Sequence, residues 1–93
     1  MRTANVVIVG GGVVGCAVAY QLARNGVRGI VLLERAKLAS SVTGICPGGI
    51  RQQFEGEADC LLARRSVSFF EHIEEILEPE HRFTFERSGY LFL

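Results

Sequence analysis

Residues 5–9 read NVVIV, an apolar, β-branched run in which no polar residue alternates. A strand with one wet face alternates, whereas a strand covered on both faces does not. The run therefore predicts a buried strand of a parallel sheet. Gly10, Gly11 and Gly12 follow directly. The period then changes. Gly15, Ala19, Leu22 and Ala23 recur at helical spacing, which predicts a helix over 13–25. Asn25-Gly26 is its stop, because glycine accepts the left-handed conformation there. Residues 29–34 read GIVLLE, a second apolar run closed by one carboxylate. Strand, glycine turn, helix and strand predict a βαβ unit with a right-handed crossover.

The second half has a different pattern. Over residues 57–78, Leu62, Phe69, Ile73, Ile76 and Leu77 form an apolar stripe. Arg64, Arg65, Ser68, Glu71, Glu74 and Glu75 take the other side, and Pro79 stops the helix. His72 among glutamates reads as a solvated surface histidine, Phe69-Phe70 as core, and Arg64-Arg65 as a solvated face. Residues 82–86 (RFTFE) and 89–93 (GYLFL) predict two strands, with a turn at 87–89. Tyr90 reads as a packing aromatic, with a substrate-facing role as the alternative.

Composition narrows the class. At 93 residues the chain holds one small domain at most. Ten basic and ten acidic residues cancel, so no bulk field favours nucleic acid or an anionic membrane. No apolar run approaches the roughly 20 residues of a membrane-spanning helix. The opening run meets glycines rather than a small-residue cleavage site, so it reads as a native strand, and a soluble, cytoplasmic protein is expected. Cys16, Cys46 and Cys60 form no CxxC pair, and only His72 and His81 could join them. Zinc spacing is absent, and each cysteine reads as a small buried or loop thiol.

The glycines carry the chemistry. Gly10, Gly12 and Gly15 match GxGxxG. Gly10 turns the chain sharply out of the strand, Gly12 lets a diphosphate approach the backbone, and Gly15 allows close helix–strand packing. The helix N-terminus offers free N–H groups and a partial positive charge. Glu34 ends the second strand, where a carboxylate accepts hydrogen bonds from an adenosine ribose and disfavours a 2′-phosphate. These features predict a dinucleotide site, although the fingerprint alone does not separate FAD from NAD. Residues 34–54 bear on that choice. A simple NAD domain would continue to another helix and strand, but here a loop rich in Ser, Thr and Gly intervenes. Ser40, Ser41 and Thr43 offer hydroxyl donors. Gly44, Gly48 and Gly49 permit close approach to a planar ligand, and Pro47 stiffens the passage.

The stretch VVIVGGGVVGCAVAYQLARNG, then VLLER, then ASSVTGICPGGIRQQF, resembles the FAD-dependent amine and amino-acid oxidoreductases of the D-amino-acid oxidase, glycine oxidase and sarcosine oxidase type. The resemblance implies an α/β fold. Residues 1–78 would form the N-terminal part of a Rossmann-like FAD-binding domain, and 79–93 the first antiparallel strands of a substrate domain. It implies that Gly10, Gly12, Val14 and Gly15 lie along the FAD diphosphate. Glu34 would bind the adenosine ribose, with Arg35 beside the adenine or ribose. Ser41 and Thr43 would approach the diphosphate and ribityl chain, and Gly48, Gly49 and Ile50 the isoalloxazine ring. Arg51 and Gln52 would leave toward the substrate side, without a catalytic assignment, and Cys46 matches no flavin attachment point.

The implied reaction is oxidation of the C–N bond of an amine or amino acid by hydride transfer to the flavin. The electrons would pass on to oxygen, a quinone or a partner subunit. Alternatives are another FAD-dependent class, such as a hydroxylase or a glycerol-phosphate-type dehydrogenase, a non-catalytic flavin-binding subunit, and, third, an NAD enzyme. Only two parallel strands are foreseen, and the sequence stops at Leu93 within an apolar run. A fragment of a protein several hundred residues long is therefore expected, without catalysis of its own. Its catalytic residues would lie elsewhere.

Overall fold

The computed structural model describes residues 3–89, 91 and 93. The chain forms two compact units, Met1–Gly49 and Ile50–Leu93. The first carries strand β1 (Val6–Val9), helix α1 (Val13–Arg24), strand β2 (Ile30–Leu33) and a single helical turn, α2 (Val42–Ile45). β1 and β2 pair in parallel, with Val6 opposite Ile30 and Val9 opposite Leu33. A parallel pair needs a crossover, and α1 supplies it.

The pleat sorts the apolar runs. Val6, Ile8, Ile30 and Leu32 are half-buried, and α1 lies against both strands. Gly15, Ala19 and Leu22 are the half-buried positions of α1 that share the foreseen face, whereas Ala23 is exposed. The other sheet face is open, and Val9 is 83% exposed. One crossover helix covers one face of a two-stranded sheet, and the alternate side chains point away from it.

Helix α1 ends at the foreseen stop. Gly26 has φ +83°, its N–H donates to the Ala23 carbonyl, and Val27 N–H donates to Leu22. This pair of bonds satisfies carbonyls that the helix would otherwise leave open.

The second unit carries α3 (Glu57–Glu71) and α4 (Ile73–Leu77). The single helix expected over 57–78 is broken at His72, whose N–H reaches back only to Phe69, an i→i−3 bond. Its ring Nδ1 lies 2.9 Å from the Ser68 carbonyl, so the side chain is drawn onto the last turn of α3. The inner face also differs from the foreseen stripe. Leu62 and Leu77 are exposed, while Cys60, Ala63 and Phe70 are half-buried and Val67 is 7% exposed. Spacings of three, four and three residues put these four on one side of the helix.

The strand expected at 82–86 is not formed, and the one expected at 89–93 falls partly outside the described residues. The described residues from 79 onward form neither helix nor strand, and Tyr90 and Phe92 lie outside the described residues. A two-stranded hairpin is marginal alone. Side-chain contacts organise the segment instead: Phe85 stacks on Phe70 with ring centroids 6.2 Å apart, and Arg87 pairs with Glu71.

Glu78 caps α4 with φ +45° and ψ +55°, a left-handed conformation that crowds its Cβ. Glu78→Gly is expected to raise stability by roughly 0.5–1 kcal/mol, since relief of that strain exceeds the added freedom of the unfolded chain. The midpoint of urea unfolding measures it, and a lowered midpoint would contradict the strain argument.

Candidate functional site

The glycine turn sits between β1 and α1. Gly10 has φ +106°, a conformation that side chains rarely tolerate, and its N–H continues the sheet by donating to the Leu33 carbonyl at 2.8 Å. Gly12 is the N-cap of α1 and brings no side chain to the helix end. The cap comes from far along the sequence, where Thr43 Oγ1 accepts the Val13 N–H at 3.0 Å. A Cβ on Gly12 would meet that same oxygen at 3.0 Å. A Cβ on Gly15 would run into the Gly10 carbonyl oxygen and touch Ile8 Cγ2 at 3.5 Å. Gly15 is therefore glycine because helix, turn and strand meet there.

Three helix-terminal N–H groups, those of Gly12, Val14 and Gly15, have no acceptor among the described residues. They share the partial positive charge of the α1 N-terminus. Beside them, Glu34 Oε2 accepts the Gly11 N–H at 2.8 Å and Oε1 accepts the Ala36 N–H at 2.9 Å. Those N–H groups, Gly11 first and Ala36 second, hold the Glu34 carboxyl below its usual value of 4.5, with Arg35 adding to the effect and burial opposing it. A carboxylate has about four acceptor positions, so two bonds leave capacity for ligand hydroxyls.

The fold thus gathers Gly10, Gly12, Gly15, Glu34 and Thr43 beyond the carboxyl ends of β1 and β2. Val14 is on the exposed side of α1, and Arg35 is exposed next to Glu34. Ser41 caps α2 through its carbonyl, which accepts the Gly44 and Ile45 N–H groups. Gly48 (φ +75°) and Gly49 close the first unit with open space at their α-carbons, and Ile50 opens the second.

Sequence reasoning passed over Gly11, Leu38 and Ala39. Gly11 is the sole buried residue among those described in the first unit. The visible signal was a third consecutive glycine where the fingerprint accepts any residue. Gly44, foreseen as a close-approach glycine, is packed instead, because a Cβ there would strike the Ala39 carbonyl oxygen.

The second unit has a cleft of about 660 Å³ beside α4 and residues 82–87. Its two arginines already face carboxylates, Arg87 at Glu71 and Arg82 at Glu74 4.0 Å away.

A family model described as FAD dependent oxidoreductase matches residues 5–93. The chain belongs to this FAD-dependent oxidoreductase family. Its cofactor is FAD, and the residues at the turn suit the ADP half of that molecule. A diphosphate needs N–H donors with no competing side chain, and the ribose needs an acceptor, which the turn and Glu34 provide side by side. The flavoprotein chain is 40% identical over 99 residues to FAD-dependent oxidoreductase domain-containing protein 1 of Xenopus laevis, covering 97% of the chain and 20% of that protein. It is 58% identical over 41 residues to mitochondrial sarcosine dehydrogenase of Mus musculus, covering 44% of the chain and 4% of the relative. It is 36% identical over 72 residues to the mitochondrial pyruvate dehydrogenase phosphatase regulatory subunit of Mus musculus, covering 77% and 8%. The chain therefore spans about a fifth of the first of these relatives and less of the other two. No solved structure matches it. No helix of the described residues is long and apolar enough to cross a membrane.

Proposed function

We propose that the full-length protein oxidises the C–N bond of an amine or amino acid, and that this chain holds the ADP half of its FAD. The observation that carries the cofactor role is the meeting of unpaired N–H groups on Gly12, Val14 and Gly15 with the Glu34 carboxylate. In this reading the three N–H groups donate to diphosphate oxygens, and Glu34 accepts from the ribose hydroxyls. Gly10 keeps the approach open. Thr43, with its acceptor side taken by Val13 N–H, has its own O–H left to donate toward the diphosphate. Ser41 and Arg35 complete the rim. Gly48, Gly49 and Ile50 carry the chain toward the ring system. When bound, FAD supplies the two-electron acceptor that an amine oxidation requires.

The substrate class rests on the likeness to sarcosine dehydrogenase, whose name states an N-methyl amino acid as its substrate. Small-molecule amines and amino acids are therefore the proposed substrates, with an electron acceptor or partner subunit to take the electrons onward. A second reading, a flavin-binding subunit without turnover, is favoured by the likeness to a phosphatase regulatory subunit.

An absorption spectrum of the purified full-length protein, before and after anaerobic addition of amines and amino acids, tests both. Flavin bands that bleach with one amine support oxidation. Bands that no amine bleaches favour the regulatory reading. A protein without flavin bands after added FAD would overturn the cofactor role of this site.

A further inference from the structure

The fingerprint permits any residue between its first two glycines, yet this chain places Gly11 there and buries it. Every side of that residue is engaged. Its N–H donates to Glu34 Oε2 at 2.8 Å, and its carbonyl accepts the Ala39 N–H at 2.9 Å. Its α-carbon is covered, since a Cβ would come within 2.5 Å of Leu38 Cδ2 and 3.1 Å of Glu34 Cβ. Ala39 makes its bond from φ +57°, a conformation a non-glycine residue takes up only when its surroundings impose it. The Gly44 α-carbon, packed on the Ala39 carbonyl, supplies part of that constraint.

The geometry points to Leu38 and Ala39 as positioning residues that latch the Gly11 peptide in place, so that the neighbouring N–H groups are aimed at the diphosphate before FAD arrives. This rests on the cofactor role proposed above and adds how the donors are held. A donor that is already oriented loses less freedom when the ligand binds, so the latch acts on affinity without touching the ligand. Gly11 is then a glycine on account of the 34–39 turn.

The test is a double-mutant cycle in the full-length protein, with two readouts. FAD affinity is measured for Gly11→Ala, Leu38→Ala and the pair, and exchange of the Gly11 amide is followed in the unliganded wild-type protein. Each single substitution is expected to weaken FAD binding by roughly fivefold, and the pair by no more than either alone, because removing Leu38 makes room for the new methyl. Leu38→Met is expected to retain the wild-type affinity. The Gly11 amide is expected to exchange far more slowly than that of Gly12. Additive losses in the cycle, or a Gly11 amide exchanging at the rate of an open peptide, would overturn the latch. A wild-type protein that takes up no FAD yet protects the Gly11 amide would speak against the cofactor reading while supporting the latch, so the two failures are distinguishable.

Discussion

Gly15→Ala is expected to abolish flavin retention and to lower stability by about 3 kcal/mol or more. The added methyl would occupy the place of the Gly10 carbonyl oxygen. Backbone cannot turn aside as a side chain does. Gly10 has no slack to give, because its N–H is held by Leu33 and its φ of +106° is already special. The helix would have to lift from the turn, which would move the N–H groups of Val14 and residue 15 away from the ligand. Two comparison variants separate this effect from a general intolerance of alanine. At Gly12 the methyl would meet only Thr43 Oγ1, at 3.0 Å on a rotatable side chain, so Gly12→Ala should cost less stability. At Gly26 nothing lies within 4 Å, and the cost reduces to the strain of a positive φ, about 1 kcal/mol. Unfolding midpoints and flavin content of the three purified variants measure the order. A Gly15→Ala protein with wild-type midpoint and full flavin would refute the packing argument.

Acidification should release the cofactor through Glu34. Its carboxyl titrates below 4.5 in the folded chain, because Gly11 and Ala36 donate to the ionised form. A lowered folded-state pKa means that the carboxylate's contribution is complete above the unfolded value and is lost as pH falls through the folded one. The wild type should therefore hold flavin unchanged from neutrality down to the ordinary carboxylate range and lose affinity below it. Glu34→Gln should bind about tenfold more weakly at neutral pH, since one of the two N–H groups would face an amide NH₂ instead of an acceptor. It should also lack the acid step attributable to residue 34. Flavin fluorescence against pH for both proteins measures this. Other carboxylates titrate in both, so the difference between the curves isolates Glu34. Identical curves would remove Glu34 from the site.

What could be read in advance was whatever short-range chemistry governs. The β-branched runs became β1 and β2, the change to helical spacing became α1, and Asn25-Gly26 became its stop. Each depends on neighbours within a few positions, where steric preference and period act directly. The same reach explains why Gly10 and Gly15 were legible. A sharp turn and a close packing contact call for glycine whatever lies beyond them.

Other features were decided by residues distant in sequence. Residues 82–86 kept a strand pattern yet formed no strand, because pairing needs a partner and Phe85 found Phe70 instead. Thr43 caps α1 across thirty positions of sequence, and Ala39 reaches Gly11 across twenty-eight. No periodicity encodes such contacts. Periodicity records which side of an element is apolar, whereas a hydrogen bond between two loops depends on where the elements between them deliver their ends. The sequence by itself determined the βαβ unit and its fingerprint. The tertiary structure alone decided what holds the glycine turn, because the groups that hold it become neighbours only after β1 and β2 have paired.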